Sequence, residues 1–420
     1  MTVSAIDRAR TAIGVVKKYV KQNKQRSAAL AFALVIGAIG LTAMQLSNAA
    51  TYVVALEAES GTVTGAASKQ TSGSNASGGF VKFGDSGTTP VPTPPTPTTP
   101  PSGSYKAGFV YRQGKNLMLN GGVYKFVGFN DYSLTGCHSG SGGTPALQDQ
   151  YFKGLRPASL TRTWAFKSVD RAKIDGAVKA AEKYGQKIML TLGEGAGYCG
   201  AGNNGPAFFA GGYTGAYFSW LREIVPKYKD SPAVVWEIMN EPGQSGGAGN
   251  QAQMKKFYHD AAQLIKSLDP NHVVSVGTLD SYQSFQSGQA GYADVHNSPY
   301  IDLVSMHEYE YNYSGNTGTA GRFGQNKAAA DSLNKPIFIG EFGTVPGNGC
   351  NSSAQRANLN KLKFDAYLNA GAAGVLYFAT GEPGNSDQVC SAYATNEGYN
   401  SAVYNQARSY SNPNLPTPKQ

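Results

Sequence analysis

Eight short apolar runs alternate with segments of helical periodicity between residues 105 and 412. The runs are bounded by Gly, Pro or Asn and are apolar on both faces, as expected of strands buried within a parallel sheet. They cover residues 123–130, 159–164, 186–192, 233–239, 272–278, 301–306, 335–340 and 373–379. The intervening helical pattern is clearest in 171–185, 254–268 and 354–371. Alternating strands and helices predict an α/β fold.

The number of strand–helix units distinguishes between the possible α/β folds. Eight strand and helix units predict a closed (β/α)8 TIM barrel over residues 105–412. An open, doubly wound sheet is the alternative, and it calls for a glycine-rich phosphate-binding turn after the first strand. The sequence at that place is GFNDYSL, 128–134, which has no such turn. The pattern therefore favours the barrel, and 413–420 is a short tail.

The segment before residue 50 has the layout of an export signal. Residues 1–26 hold seven cations and one acid, followed by an uncharged apolar run over 28–44 and small residues at 49 and 50. This order is typical of a secretory signal, and the run is at the short limit for a membrane span. A cleaved signal and a retained anchor both stay open. Either places the rest of the chain outside the cytoplasm, secreted or tethered to the outer face of the membrane.

The charge of the chain bears on its partners. The net charge is +9, and residues 1–26 account for +6 of it. The rest of the chain shows no basic patch, so we do not expect nucleic-acid binding.

Residues 87–104 contain a Pro/Thr run, TTPVPTPPTPTTPP, which predicts an extended linker.

Residues 51–86 lie between the signal and the linker and contain two strand-like pieces, YVVALEAE and GGFVKFG, around a Ser/Gly-rich middle. The segments LEAESGTV and ASGGFVKFG resemble the N-terminal part of carbohydrate-binding modules of families 6 and 35. Those modules are much longer β-sandwiches, and only 36 residues are present here. We interpret the segment as a relic or stalk rather than a working sugar binder.

Polar and aromatic side chains stand at the ends of the predicted strands, where such a barrel carries its active site. They are Asn130, Arg162, Trp164, Glu194, Asn240, Glu241, His307, Tyr309 and Glu341. Glu241 ends the fourth strand and Glu341 the seventh, so we expect their carboxyl groups to meet across the barrel mouth. Glycosidic cleavage requires two such groups, one protonated to donate and one ionised.

Strand alternation distinguishes the neighbours of Glu241. Glu237 shares its face but lies ~13 Å lower, at ~3.3 Å per residue, so we predict a buried ion partner. In a regular strand, the side chain of Asn240 faces away from the site into which Glu241 points. A place for Asn240 in the site therefore requires a bulge or kink at the end of the fourth strand.

Three motifs then define a family resemblance. WEIMNEP (236–242), MHEYE (306–310) and PIFIGEFG (336–343) resemble the fourth-, sixth- and seventh-strand motifs of the retaining glycoside hydrolase clan that includes family 5. GFNDYSL and RTWAF resemble its β-mannanase branch most. The resemblance implies hydrolysis of a β-1,4-linked polysaccharide or oligosaccharide, with mannan or glucomannan favoured. A cellulase or another clan member is the alternative, and a non-catalytic surface carbohydrate-binding protein is the alternative of another class.

The resemblance also implies roles for individual residues. Glu241 is expected to be the acid/base and Glu341 the nucleophile. The expected orienting and substrate-binding residues are Arg162, which keeps the nucleophile ionised, Asn240, which binds the sugar 2-hydroxyl, and His307, Tyr309 and Asn130. Trp164 is a candidate sugar-stacking platform, with core packing as the alternative.

Two departures from the family pattern concern the third and eighth strands. LTLGEG (190–195) stands where the cellulases of the family carry a third-strand histidine. The eighth-strand tryptophan is absent, which leaves Phe378 as the expected aromatic floor of the sugar site.

Four cysteines follow predicted strands, Cys137, Cys199, Cys350 and Cys390. In an oxidising compartment they are expected to pair. Three pairings are possible, and adjacency of the loops favours Cys137 with Cys199 and Cys350 with Cys390. They lack CxxC spacing, so the sequence predicts no zinc site. We expect a monomer that needs no metal or organic cofactor.

Overall fold

The computed structural model describes residues 67–70, 80–83, 105–137, 142–195, 197–200, 205–242, 251–279, 288–309, 315, 317–343, 352–381, 397–413 and 415. The chain divides into two compact units, Met1–Pro92 and Thr93–Gln420. The expected signal or anchor segment, the linker and the tail lie outside the described residues, apart from Pro413 and Leu415 of the tail. Within the described part of the chain, no helix has the length and apolar character that crossing a membrane requires.

In the first unit, the structure describes one antiparallel strand pair. β1 (Ala67–Gln70) pairs with β2 (Phe80–Phe83), with Ala67 opposite Phe83. β2 confirms the strand expected from GGFVKFG. β1 was not expected, because it falls in the Ser/Gly-rich middle, and the expected strand YVVALEAE lies outside the described residues.

The second unit contains the predicted barrel. Its strands are β6 (Phe126–Asn130), β7 (Leu160–Trp164), β8 (Lys187–Thr191), β9 (Val234–Glu237), β10 (Val274–Ser275), β11 (Val304–Glu308), β12 (Ile337–Phe342) and β13 (Gly374–Phe378). They are parallel, in the order β10-β9-β8-β7-β6-β13-β12-β11. A parallel bridge between Ser275 and Leu303, just before β11, joins the two edges. This closure confirms the (β/α)8 barrel and excludes the open sheet.

Helices cover the outside of this barrel. They are α1 (Pro145–Lys153), α2 (Arg171–Lys183), α3 (Pro206–Phe209), α4 (Ala216–Tyr228), α5 (Gln251–Leu268), α6 (Gly288–His296), α7 (Arg322–Ser332), α8 (Ser353–Asn369) and α9 (Ala402–Arg408). The three helices expected from periodicity correspond to α2, α5 and α8. Their buried faces pack on the outer side of the strands.

A small antiparallel sheet precedes the barrel. Its strands are β3 (Val110–Gln113), β4 (Asn116–Leu119) and β5 (Gly122–Tyr124). Its apolar side chains form one core cluster with side chains from the barrel strands, such as Leu160 and Val235. The first predicted strand, 123–130, was therefore too long: it divides into β5 and β6 at Lys125.

The fourth and fifth strands are joined at their lower ends by a buried polar cluster. Trp236 Nε1 donates to Asp269 Oδ2 at 2.7 Å, and His272 Nδ1 lies 2.5 Å from the same oxygen. His272 Nε2 lies 2.7 Å from the Ser231 carbonyl oxygen. Trp236 and Trp220 are both buried in the core. This cluster lies at the end of the barrel opposite the strand C-termini.

Candidate active site

The fourth strand loses its regular alternation just before the predicted site. The backbone N–H groups of Ile238 and Met239 both donate toward β10, to the carbonyl oxygens of Ser275 and Val276 at 2.9 and 3.2 Å. In a regular parallel strand, successive N–H groups point to opposite neighbours. Glu241 then adopts φ +42°, a rare conformation for a residue with a side chain. The predicted kink is confirmed.

The kink changes which side chains face the barrel interior. Glu237 and Asn240 both contact the same buried guanidinium, although they are three residues apart. Regular alternation would place them on opposite faces. The irregular backbone thus brings Asn240 into the site beside Glu241.

Two glycines make room for this backbone. A Cβ on Gly195 would lie 2.1 Å from the Glu241 carbonyl oxygen, and one on Gly277 would lie 2.0 Å from that of Met239. Gly277 also has φ +83°. Because only glycine permits such close approach, both positions are part of the site's framework. Sequence reasoning missed them, although each follows an apolar strand.

Arg162 is the centre of the site's hydrogen-bond network. It is fully buried. Its Nε donates to Glu237 Oε1 at 2.5 Å, and its Nη1 donates to Glu341 Oε1 at 2.6 Å. Nη1 also donates to Asn130 Oδ1 at 2.9 Å, and Nη2 donates to Asn240 Oδ1 at 2.8 Å. Arg162 therefore connects the first, second, fourth and seventh strands, and Glu237 is its buried ion partner, as predicted.

The two expected carboxyl groups meet at the barrel mouth. Glu241 and Glu341 are 7% and 4% exposed, and one oxygen of each lies within 4.8 Å of the other. His307 Nδ1 is 2.7 Å from Glu241 Oε1 and 3.5 Å from Glu341 Oε2. The Tyr309 hydroxyl donates to Glu341 Oε2 at 2.8 Å. The structure thus brings all four predicted residues together.

The partners of the two carboxyl groups differ. Burial raises the pKa of Glu241 to about 7, against the opposing effect of Arg162. Burial also raises the pKa of Glu341, while His307, Arg162 and the Tyr309 hydrogen bond act to lower it. Only Glu341 receives hydrogen bonds directly from a cation and a phenol, both of which favour its ionised form. A single proton on this pair therefore resides preferentially on Glu241.

The same groups bear on metal binding. Glu241, His307 and Glu341 offer ligand atoms within 4.8 Å of one another. However, the guanidinium of Arg162 already lies 2.6 Å from Glu341. A second cation at this place would be repelled by the first, so the three residues are poorly suited to holding a resident metal ion.

Three further predicted residues occupy different surroundings. Asn130 is buried and donates to the Gly340 carbonyl oxygen at 2.8 Å, so its carboxamide is committed to orienting Arg162. Trp164 is 3% exposed and stacks on Phe166 at 5.4 Å between ring centroids. Core packing, the alternative to a stacking platform, fits this ring. Phe378 is half-buried, 6.0 Å from the ring of Tyr132.

Two contacts of the site were not predicted from the sequence and are visible only in the structure. The Asn240 Nδ2 atom lies 3.1 Å from each carboxylate oxygen of Glu194. Behind the site, buried Lys363 of α8 donates to Glu308 Oε2 at 2.9 Å and to the Gly343 carbonyl oxygen at 2.6 Å. Lys363 thereby ties the end of β11 to the chain leaving β12. Its helical position gave no sequence signal.

One predicted disulfide lies beside the barrel mouth. Cys137 and Cys199 are joined, as predicted, and they connect the chain after β6 with the chain after β8. Cys350 and Cys390 lie outside the described residues.

Comparison with known families agrees with this geometry. The family described as "Cellulase (glycosyl hydrolase family 5)" matches residues 150–380. The chain belongs to glycosyl hydrolase family 5. The family resemblance read from the three strand-end motifs is confirmed.

Several proteins are similar to this family 5 chain. A protein named probable mannan endo-1,4-beta-mannosidase F, from Aspergillus flavus, is 26% identical over 293 residues, covering 58% of this chain. The chain spans 62% of the length of that relative. Mannan endo-1,4-beta-mannosidase 5 from Solanum lycopersicum is 28% identical over 299 residues, covering 56% of this chain and 71% of that protein.

A solved structure shows the same fold. The endo-1,4-beta-mannanase from Rhizomucor miehei superposes with a TM-score of 0.56 at 19% identity. The match covers 71% of this family 5 chain and 98% of the other. At this identity, the similarity supports the barrel alone.

Proposed function

We propose that the barrel is a retaining glycoside hydrolase that cleaves β-1,4-linked mannan or glucomannan. The observation that carries this proposal is the buried pair Glu241 and Glu341, with oxygens within 4.8 Å and unequal partners. Retaining enzymes hold their carboxyl groups about 5–5.5 Å apart, whereas inverting enzymes need about 6.5–9.5 Å to admit a water. The close pair therefore supports retention.

The contacts of the pair support a role for each member. Glu341, with Arg162 and Tyr309 donating to it, attacks the anomeric carbon as a carboxylate. Glu241, held by His307, gives its proton to the departing glycosidic oxygen. The sugar is then an ester of Glu341. Glu241, now ionised, takes a proton from a water that attacks the same carbon and releases the second product.

Asn240 contributes the substrate contact in this proposal. Its oxygen accepts from Arg162 at 2.8 Å, so its amide nitrogen is the group able to donate to a sugar. We assign that hydrogen bond to the 2-hydroxyl of the sugar at the cleavage site. Such bonds strengthen in the transition state.

The choice of mannan rests on the relatives, several of which carry the name mannan endo-1,4-beta-mannosidase. The half-buried ring of Phe378, at the end of β13, supplies an apolar face for a sugar ring. Cellulose is the second candidate substrate, because the matching family is described as Cellulase.

A polysaccharide panel tests the proposal. Purified protein is incubated with mannan, glucomannan, cellulose, xylan and mixed-linkage glucan, and reducing ends are measured. We expect the fastest release from mannan or glucomannan, and proton NMR of the first product should show the β-anomer. Release from cellulose alone would make cellulose, and not mannan, the substrate. An α-anomer would contradict retention. Binding without release from any polymer would favour a non-catalytic carbohydrate-binding protein.

The pKa of Glu241 predicts a pH limit. Because burial raises this pKa to about 7, the carboxyl is protonated, and able to donate, below that pH. We expect kcat/KM on mannan to fall about tenfold per pH unit above that point.

The same pKa shift affects stability, because Glu241 binds its proton more tightly in the folded state than in the unfolded state. Its stabilising contribution is complete below the unfolded pKa of 4.5 and is lost as pH rises through about 7.

The variant Glu241→Gln isolates this limit. With an aryl glycoside whose leaving group needs no proton, the variant should form the glycosyl-enzyme without the alkaline decline that wild type shows on mannan. A variant that showed the same decline in this step would place the titrating group elsewhere. Thermal unfolding at each pH serves as the control for loss of folded protein.

A further inference from the structure

Glu194 lies at the end of the third strand, where this chain departs from the family pattern. It is 1% exposed and forms a parallel bridge with Asn240. Backbone hydrogen bonds fix the two segments together: Asn240 N–H donates to the Gly193 carbonyl oxygen at 2.9 Å, and Gly195 N–H donates to that of Asn240 at 2.7 Å. The Glu194 side chain is thus held beside Asn240 at the barrel mouth.

The carboxamide of Asn240 is bound at both ends. Its oxygen accepts from Arg162 Nη2 at 2.8 Å, and its nitrogen lies 3.1 Å from both Glu194 oxygens. A guanidinium can only donate and a carboxylate can only accept. Turning the carboxamide over would place its NH₂ group against the guanidinium and its oxygen against the carboxylate. Arg162 and Glu194 together therefore permit one orientation of Asn240.

The equal distances show how the amide hydrogens are used. The two oxygens of one carboxylate lie closer together than the directions of the two amide N–H bonds allow each to reach separately. One N–H directed between the two oxygens can serve both, as in other three-centre hydrogen bonds. That arrangement leaves the second N–H of Asn240 for another acceptor.

We propose that Glu194 is a positioning residue that aims this second N–H of Asn240 at the 2-hydroxyl of the sugar undergoing cleavage. The inference rests on the proposed function, since the hydroxyl belongs to the substrate. Arg162 alone fixes the carboxamide oxygen but leaves the amide free to tilt about that contact. The carboxylate of Glu194 removes this freedom before substrate binds, which favours the transition state.

Removal of the acceptor tests this role. Glu194→Ala and the larger Glu194→Met both delete it, and Glu194→Gln keeps one acceptor oxygen. Two substrates are compared, an aryl β-mannobioside and its analogue that lacks the 2-hydroxyl of the sugar joined to the aryl group. With the first, both deleting variants should lose about 10- to 100-fold in kcat/KM. With the analogue they should lose less than about threefold, and Glu194→Gln should remain within about threefold of wild type on both.

A matched control separates positioning from stability. Asp269→Asn removes a buried carboxylate at the opposite end of the barrel, where it holds His272 and Trp236. It should lower Tm without changing the ratio of kcat/KM between the two substrates.

The possible outcomes are distinct. Equal losses on both substrates, or a Glu194→Gln variant as impaired as Glu194→Ala, would overturn the positioning role while wild-type hydrolysis still supported the proposed function. A wild type that cleaves neither the mannobioside nor mannan would remove the proposed function and the role of Glu194 with it. A loss confined to the substrate with the 2-hydroxyl supports the inference.

Discussion

Glu341→Ala is expected to lower kcat for mannan hydrolysis on the order of 10⁴-fold or more, as loss of a covalent nucleophile does in other enzymes. Glu341 has Arg162 at 2.6 Å and Tyr309 at 2.8 Å, and alanine leaves no atom able to attack the anomeric carbon. The measurement is reducing-sugar release, with binding of manno-oligosaccharide followed by calorimetry. Binding should persist, because the variant keeps Asn240, Glu241 and Phe378.

A small external nucleophile distinguishes the chemical role of Glu341 from a structural one. Azide fits the space that the missing carboxylate leaves, and attack on an activated aryl β-mannoside should yield the α-mannosyl azide. The comparison variant is Glu237→Gln, because Glu237 also binds Arg162, at 2.5 Å, but lies deeper in the barrel. It should lose far less activity and show no rescue by azide. A Glu341→Ala enzyme with wild-type activity would assign the nucleophile to another residue.

The sequence was informative about the barrel because its strands are buried on both faces. Each of the eight apolar runs overlaps a barrel strand, and the ends of the runs located Glu241 and Glu341. Boundaries were less well predicted where the chain turns without a polar interruption. The run 272–278 forms only a two-residue strand, β10, because the backbone leaves the ladder before Gly277, which has φ +83°.

Contacts across strands were harder to predict than strand ends. Glu194 stood among the candidate residues, but its partner depends on the register that sets it opposite Asn240. The direction in which an aromatic ring points likewise depends on how it packs against its neighbours. Trp164 ends β7 as expected, yet its ring lies between Phe166 and the Arg162 guanidinium, 4.6 Å from its centroid. Sequence position indicates proximity to the mouth, and packing decides exposure.

Arg162→Met is expected to reduce both stability and activity. The guanidinium is the buried counter-ion of Glu237 and Glu341. Removing one partner of a buried ion pair costs about 3–5 kcal/mol in the free energy of unfolding. We also expect kcat to fall on the order of 10²- to 10³-fold, as when a preorganised charge in an active site is removed. Chemical denaturation and steady-state kinetics on mannan measure the two effects.

The double variant Arg162→Met/Glu237→Met separates these two effects. It removes the deeper carboxylate that Arg162→Met leaves buried without a counter-ion, so part of the lost stability should return. Activity should not return, because Glu341 still lacks the cation that favours its ionised form. If the double variant recovered kcat along with stability, Arg162 would act only through folding. If it recovered stability alone, the same guanidinium would have two separable roles, one with Glu237 in the barrel interior and one with Glu341 at its mouth.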